Sequence, residues 1–105
     1  MAKYIFLATY SDEGAKGIVG GDSDRVAAME VLCNSVGAKF ISVDITRGEY
    51  DVCLIVEADS FAQIAAMSLK ARASGAADKF VTLEAVDIEE IRSVAKGVQY
   101  TPPSG

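Results

Sequence analysis

Two alternating segments joined by a glycine-containing turn place the strongest constraint on what this chain can fold into. In residues 39–46 (KFISVDIT) and 50–57 (YDVCLIVE), every second side chain is apolar, which is the period of a β-strand. Gly48 and Glu49 fit the two central positions of a type II′ turn, with the glycine at positive φ. The pattern therefore predicts an antiparallel hairpin.

The hairpin also has a predicted register. It pairs Ile45 with Val52 and Asp44 with Cys53, so that the aliphatic side chains of both strands share one face. A shift of one residue would move every side chain of a strand to the other face and destroy this agreement.

The remaining segments complete an alternating order of strands and helices. Residues 3–10 and 79–86 have strand composition, and three helical segments end at glycines, where a helix C-cap commonly requires one. Those glycines are Gly37, Gly75 and Gly97. Residues 14–21 contain four glycines and are predicted to be a loop. Asp22 or Ser23 is expected to cap the first helix, and Ser60 with Gln63 forms a predicted capping box.

This order, β-α-β-β-α-β, predicts an α+β fold of the ferredoxin-like type. The fold has a four-stranded antiparallel sheet with both main helices on one face, and here an extra C-terminal helix follows. A chain of 105 residues has the size of one domain. We expect a single domain at residues 1–97 and a C-terminal tail at residues 98–105.

Alternation divides the side chains of the sheet between two faces, and neither face is polar throughout. The set predicted to pack against the helices is Ile5, Leu7, Val43, Ile45, Val52, Leu54, Val81 and Leu83. The opposite set is Tyr4, Phe6, Ala8, Phe40, Ser42, Asp44, Asp51, Cys53, Ile55, Phe80 and Thr82. Because a large exposed apolar surface usually marks an interface or a ligand site, the pattern favours two copies packed sheet to sheet. The product would be a homodimeric α/β barrel or a larger homo-oligomer.

Composition narrows the classes of partner and site. The formal net charge is −5 and the basic residues are scattered, so nucleic acid and anionic membrane are disfavoured as partners. No apolar run has the length of a membrane span. The chain has two cysteines, which suits a reducing cytoplasm, and no histidine. Without histidine or paired cysteines we expect no metal site, and no cofactor is predicted.

Several motifs resemble one known family, the GYD domain family. Gly48, Tyr50 and Asp51 within RGEYDVCLIVEA are similar to its Gly–Tyr–Asp signature. The opening KYIFLATYSDEG and the segment DSDR at residues 22–25 also look similar to the family pattern, and the resemblance covers residues 3–95. It implies membership of the dimeric α/β-barrel group, which includes cofactor-free monooxygenases, isomerases, haem-degrading enzymes and ligand-sensing modules. It does not imply one activity.

The pattern favours a small-molecule-binding domain whose pocket lies between the second sheet face and the dimer partner. Apolar walls with a few polar groups are typical of ligand sites. The predicted ligand-binding residues are Tyr4, Phe6, Asp44, Tyr50, Asp51 and Cys53. Two alternatives stay open. One is a cofactor-independent enzyme, monooxygenase- or isomerase-like, with Asp51 or Asp44 as general base. The other is a pure oligomerisation module.

Three of these residues and the glycine-rich segment also have a structural interpretation. Asp51 could accept backbone hydrogen bonds beside the hairpin, and Cys53 could be a small buried hydrophobe. Tyr50 could close the end of the core. The glycine-rich segment could be a lid over the pocket or an ordinary loop.

Overall fold

A computed structural model describes residues 1–21 and 24–104 of the chain. The elements follow the order β1 (Ala2–Tyr10), α1 (Asp12–Gly20), α2 (Arg25–Ser35), β2 (Lys39–Ile45), β3 (Val52–Ala58), α3 (Phe61–Ala73), β4 (Ala77–Ala85) and α4 (Ile88–Ala95). The predicted caps Asp22 and Ser23 lie outside the described residues. Asp24 occupies the N-cap position of α2, where its carboxylate accepts a hydrogen bond from the Ala27 N–H at 3.1 Å.

The four strands form one antiparallel sheet in the order β2-β3-β1-β4. This confirms the predicted α+β class and the ferredoxin-like order of elements. The strand β1 lies between β3 and β4, so its backbone is hydrogen-bonded on both edges.

The hairpin register is confirmed, but the predicted two-residue turn is wrong. Ile45 lies opposite Val52 and Asp44 lies opposite Cys53, as the alternation required. The strands stop earlier than expected, so the connection spans residues 46–51. The Thr46 hydroxyl donates to the Tyr50 carbonyl within this connection, which holds a wider loop than a type II′ turn. Gly48 has φ of +135°, and this is the positive φ predicted for it.

Helices α2 and α3 pack on one face of the sheet, which we call the inner face. Side chains from both helices form a buried core with the inner face, and Ile64, Met67 and Cys33 are among the most buried. The sheet contributes Tyr4, Phe6, Leu54, Val56 and Ala58.

The predicted assignment of faces is correct for β3 and for most of β2 but wrong for β1. Tyr4, Phe6 and Ala8 are buried against the helices, whereas Ile5 and Leu7 point to the other side, the outer face. The register explains the correction, because Phe6 lies directly opposite the buried Leu54 and so shares its face. In β1 both alternating sets are apolar, so the pattern alone did not determine which set faces the helices.

The predicted faces are also wrong for β4 and for one residue of β2. Phe80 packs against the core, and its ring lies 5.4 Å from that of Phe6 in an edge-on arrangement. Phe40 also packs inward, because an irregularity in register between Phe40 and Ser42 changes the alternation there. Thr82 lies opposite Phe6 and follows it to the inner face. The outer face therefore carries Ile5, Leu7, Ser42, Asp44, Cys53, Ile55, Val81 and Leu83.

The glycine-rich segment predicted to be a loop is largely helical, as α1. Ser11 is its N-cap, and the Ser11 hydroxyl accepts a hydrogen bond from the Gly14 N–H at 3.1 Å. The acids Asp12 and Glu13 in the first turn are favourable for the helix dipole. Gly14 is buried against the α3–β4 connection, where a β-carbon would lie 2.3 Å from the Ala76 carbonyl oxygen. Glycine here permits close packing of the helix, which outweighs its poor helix propensity.

The predicted ends of α2 and α3 are confirmed. Gly37 and Gly75 have φ of +76° and +78°, the left-handed conformation that terminates a helix. The Gln63 side chain accepts from the Ser60 N–H at 2.9 Å, as in a capping box. Its amide also donates to the Val36 carbonyl at 2.6 Å and so joins the start of α3 to the end of α2.

The C-terminal helix α4 extends away from the rest of the domain. Asp87 is its N-cap, and all residues from 83 to 104 are exposed. The radius of gyration is 17.3 Å, against about 13 Å for a compact chain of this length. We call residues 86–104 the C-terminal arm. Its apolar stripe is not covered by the described part of the chain.

The contact of Gly14 with Ala76 generates a test of the α1 packing. We expect Gly14→Ala to lower the free energy of unfolding by about 2 kcal/mol, because the added methyl group would overlap backbone that cannot move aside cheaply. Urea unfolding followed by circular dichroism measures the change.

Gly20→Ala is the matched control, because it lies in the same helix and its β-carbon would meet nothing within 4 Å. This variant should keep or slightly raise stability, since alanine is the better helix former. Equal effects of the two substitutions would contradict the packing of α1 against the α3–β4 connection.

Candidate functional site

A cavity of about 420 Å³ lies between the inner face of the sheet and helices α2 and α3. Its volume lies within the range of small-molecule sites. The sheet lines it with Phe6, Ala8, Tyr10, Val43, Ile45, Val52, Leu54, Ala77 and Phe80. The helices and the α3–β4 connection line it with Arg25, Val26, Ala28, Met29, Leu32, Met67, Lys70, Ala71, Ser74 and Ala76.

Small residues on the two helices help to leave this space open. Ala28 of α2 and Ala71 of α3 lie along the cavity, where longer side chains would occupy it. Met29 and Met67 line it more deeply, and the flexible thioether of methionine adapts to irregular volumes. The cavity opens to solvent beside the exposed residues Val26, Lys70 and Ser74.

The few polar side chains on the cavity wall include two cations. Arg25 is the first residue of α2, and Lys70 lies in the last turn of α3. Within the described ranges 1–21 and 24–104, the Arg25 Nε is buried and has no hydrogen-bond partner. A β-carbon on Gly17 would lie 2.7 Å from the Arg25 Nη2, so the glycine gives the guanidinium room beside α1.

Tyr10 contributes a phenol to the same region, next to Asp51. Burial raises the pKa of Tyr10, the nearby Arg25 opposes this increase, and the charge of Asp51 adds to it. The phenol therefore stays neutral at physiological pH and can donate a hydrogen bond. The Asp51 Oδ2 accepts the Tyr10 backbone N–H at 2.9 Å, and the Asp51 N–H donates to the Ala8 carbonyl at 2.9 Å.

Comparison with known protein families identifies the family to which this chain belongs. A family model described as the GYD domain matches residues 4–95. The chain belongs to the GYD domain family. The resemblance found in the sequence around Gly48, Tyr50 and Asp51 is thus confirmed.

Individual relatives of this GYD domain are distant. A Thermus thermophilus protein named glutamine synthetase and cystathionine beta-lyase binding protein is 28% identical over 91 residues, which cover 87% of this chain and 95% of that protein. The crystal structure of FFRP-DM1 has a TM-score of 0.56 and 20% identity, covering 82% of this chain and 100% of that one. A hypothetical protein from Pyrococcus horikoshii, PHS023, has a TM-score of 0.56 and 17% identity, covering 82% and 90%. The two structures show a shared fold.

The structure of the GYD domain does not bring the six predicted ligand-binding residues together. Phe6 lines the cavity, whereas Tyr4 is only 4% exposed and belongs to the core beside it. Asp44 is exposed and Cys53 is half-buried on the outer face, so the sheet separates both from the cavity. Asp51 lies at the end of the hairpin, where it makes the backbone hydrogen bond that its structural interpretation requires.

Tyr50 lies in the hairpin connection, beside the start of β4. The Lys79 ammonium lies 5.0 Å from the centre of the Tyr50 ring and 3.2 Å from the Glu49 carboxylate. Its hydrogen bond with Glu49, followed by the effect of Tyr50, raises the pKa of Lys79. These contacts join the hairpin connection to β4 at the surface, outside the cavity wall.

The remaining features concern Cys33, metal binding and membrane spans. Cys33 is fully buried, and burial followed by the charge of Glu30 raises the pKa of its thiol. Across residues 1–21 and 24–104, no three acidic or cysteine side chains gather as a metal-ion cluster would require. In the same part of the chain, no helix combines the length and the apolar character needed to cross a bilayer.

Sequence reasoning missed the polar groups of the cavity. The sequence pattern includes Arg25 as the last residue of DSDR, but it does not mark Arg25, Tyr10 or Lys70 as parts of one site. One signal was available for Arg25: a cation in the first turn of a helix is unfavourable for the helix dipole and therefore calls for an explanation.

Proposed function

We propose that this GYD domain binds a small, largely apolar molecule in the cavity between α2, α3 and the inner face of the sheet. The single observation that carries the proposal is the volume of about 420 Å³ lined almost entirely by apolar side chains. Protein interiors are ordinarily packed with few voids larger than a water molecule. A space of this size in a 105-residue domain is therefore better explained as a ligand site than as imperfect packing.

This site differs from the pocket that the sequence suggested. The predicted pocket between the outer face and a dimer partner stays a prediction, since it needs a second copy of the chain. The alternative of an enzyme with an aspartate base also stays a proposal. Neither Asp51 nor Asp44 lines the cavity, and Asp51 already accepts a backbone hydrogen bond. Binding is therefore the function that the geometry favours.

Filling the cavity tests the binding proposal. We expect Ala71→Leu to weaken binding of 1-octanol, a neutral apolar probe, at least about tenfold, because the larger side chain would occupy the space beside Met67. Isothermal titration calorimetry measures the affinity of each variant.

Ala66→Leu is the matched control, since Ala66 is exposed on the same helix and does not line the cavity. It should bind 1-octanol like the wild type. Absence of octanol binding to the wild type, or equal binding by both variants, would show that the cavity is not a ligand site.

We further propose that the domain self-associates through the outer face of the sheet. Ile5, Leu7, Ile55 and Val81 lie on this face, and the two helices that form the buried core, α2 and α3, lie on the other one. A second copy presenting the same face would bury these side chains symmetrically, as a homodimer requires.

A charge on the outer face should break this association. We expect Leu7→Glu to convert the protein to a monomer in sedimentation velocity experiments at micromolar concentrations, because two carboxylates would be buried in the symmetric interface. The Cys53 thiol on the same face should then react faster with a thiol reagent.

Leu69→Glu serves as the comparison, because Leu69 is 63% exposed on helix α3. This variant should keep the oligomeric state of the wild type. A wild-type protein that sediments as a monomer would overturn the proposal.

A second candidate function is binding to another protein, and the C-terminal arm is the surface that favours it. Ile88, Ile91 and Val94 form a stripe on α4 and are 54%, 48% and 72% exposed. An exposed apolar helix face is a common means of docking onto a partner. The name of the Thermus thermophilus relative specifies binding to two enzymes, so glutamine synthetase is a reasonable first partner to examine.

Co-sedimentation with a bacterial glutamine synthetase tests this candidate. The wild type should co-sediment, and Ile91→Asp should not, because the charge would have to be buried in the docked stripe. Ser93→Asp, on the opposite side of α4, should leave binding intact. Failure of the wild type to co-sediment would exclude this enzyme as a partner.

A further inference from the structure

We infer that the ligand of the cavity is a small apolar molecule with one anionic group, which binds at Arg25 and Lys70. This inference rests on the proposed binding function and adds the chemical class of the ligand. A free carboxylic acid with a hydrocarbon or aromatic body is the simplest member of the class.

The charge of the cavity wall is opposite to that of the protein. The chain has 15 acidic and 10 basic residues, yet the described residues that line the cavity include two cations and no carboxylate. If charged residues were distributed at random in this acidic protein, carboxylates would outnumber cations on the cavity wall. A positive site within an apolar wall is what an anionic ligand requires, because a charge taken out of water must be paired.

The position of Arg25 supports this assignment most directly. Its Nε is buried and, in the part of the chain that the structure describes, has no acceptor within hydrogen-bond distance. Among the described residues, no carboxylate forms a salt bridge with Arg25. Because the Nε is enclosed by protein, a ligand carboxylate in the cavity would accept from the terminal Nη groups of this guanidinium. Gly17 leaves the space for the guanidinium beside α1.

The surroundings of Arg25 add two further favourable features. Arg25 is the first residue of α2, so an anion there would also lie near the positive end of the helix dipole. Tyr10 lines the same cavity, and its neutral phenol is a further donor for the anionic group. Lys70 approaches from the opposite helix and is exposed, which places it at the opening of the cavity.

The rest of the wall fits the apolar body of such a molecule. Phe6 and Phe80 form one side, and Leu32, Met29 and Met67 form the other. These side chains offer no hydrogen-bonding group apart from the weakly accepting sulfurs. Selection for the body therefore depends on shape and hydrophobicity, whereas selection for the head group depends on charge.

Three probes with the same hydrocarbon chain test the inference: octanoate, 1-octanol and octylammonium. In isothermal titration calorimetry at neutral pH, the wild type should bind octanoate about tenfold more tightly than 1-octanol, since a charge-assisted hydrogen bond contributes that much. Octylammonium should bind most weakly. Arg25→Gln should lower the affinity for octanoate about tenfold and the affinity for 1-octanol by a smaller factor, so that the preference for octanoate is lost.

Control variants separate the local effect from that of net charge. Lys70→Gln should reduce the preference by a smaller factor, because Lys70 is exposed to solvent. Arg72→Gln removes an exposed charge from the same helix outside the cavity wall and should change nothing. A far-ultraviolet circular dichroism spectrum and a urea unfolding midpoint like those of the wild type would show that Arg25→Gln is folded.

The outcomes distinguish this inference from the proposed function. If the wild type binds 1-octanol as tightly as octanoate, the assignment of an anionic ligand is wrong and the binding function stands. An Arg25→Gln variant that keeps the full preference would also overturn the assignment. If none of the three probes binds, both the inference and the proposed function fail.

Discussion

The architecture depends on β1, a central strand that is apolar on both faces. Its backbone is hydrogen-bonded to β3 on one edge and β4 on the other, and these two pairings hold the sheet together. Tyr4 and Phe6 pack against the helices on the inner face, whereas no helix of the described part of the chain covers Ile5 and Leu7. A ferredoxin-like order supplies helices to one face only. The outer face must therefore either stay partly exposed to water or be covered by another molecule.

The alternation of side chains along the strands was predictable from sequence. Which alternating set faces the helices was predictable only in part. In the hairpin, Asp44 and Cys53 distinguish the two sets of side chains, so the aliphatic set was correctly placed inward. In β1 both sets are apolar, and the larger aromatic side chains were wrongly assigned to the outer face. Alternation gives two classes of position, and deciding which class faces the helices requires a polar marker on the strand.

The helix α1 shows a different limit of sequence reasoning. Four glycines within eight residues are typical of a loop, and the local preference alone would favour one. The Ser11 cap and the contact of Gly14 with Ala76 outweigh that preference. A glycine required for close approach cannot be distinguished by sequence from one required for a turn, because the partner backbone is distant along the chain.

Of the residues that line the cavity, only apolar ones were predictable from the sequence. Phe6 was among the predicted residues, since an aromatic side chain on a strand is a natural part of a pocket wall. Arg25 and Lys70 lie on different helices far apart in sequence, and only the packing of α2 and α3 over the sheet directs both toward one space. Their pairing is a product of tertiary structure. A single charged residue on an amphipathic helix ordinarily indicates no more than a solvated face.

The inner and outer faces give this small domain two separate surfaces for two separate tasks. Phe6 and Leu7 are neighbours in β1, yet one lines the cavity and the other lies on the proposed interface. A charge at position 7 would therefore affect assembly without entering the cavity, and a change on the cavity wall would leave the outer face intact. The net charge of −5 disfavours the approach of anions in general. Because salt screens such long-range repulsion beyond about 8 Å, the identity of the ligand is decided by Arg25 and its apolar surroundings at short range.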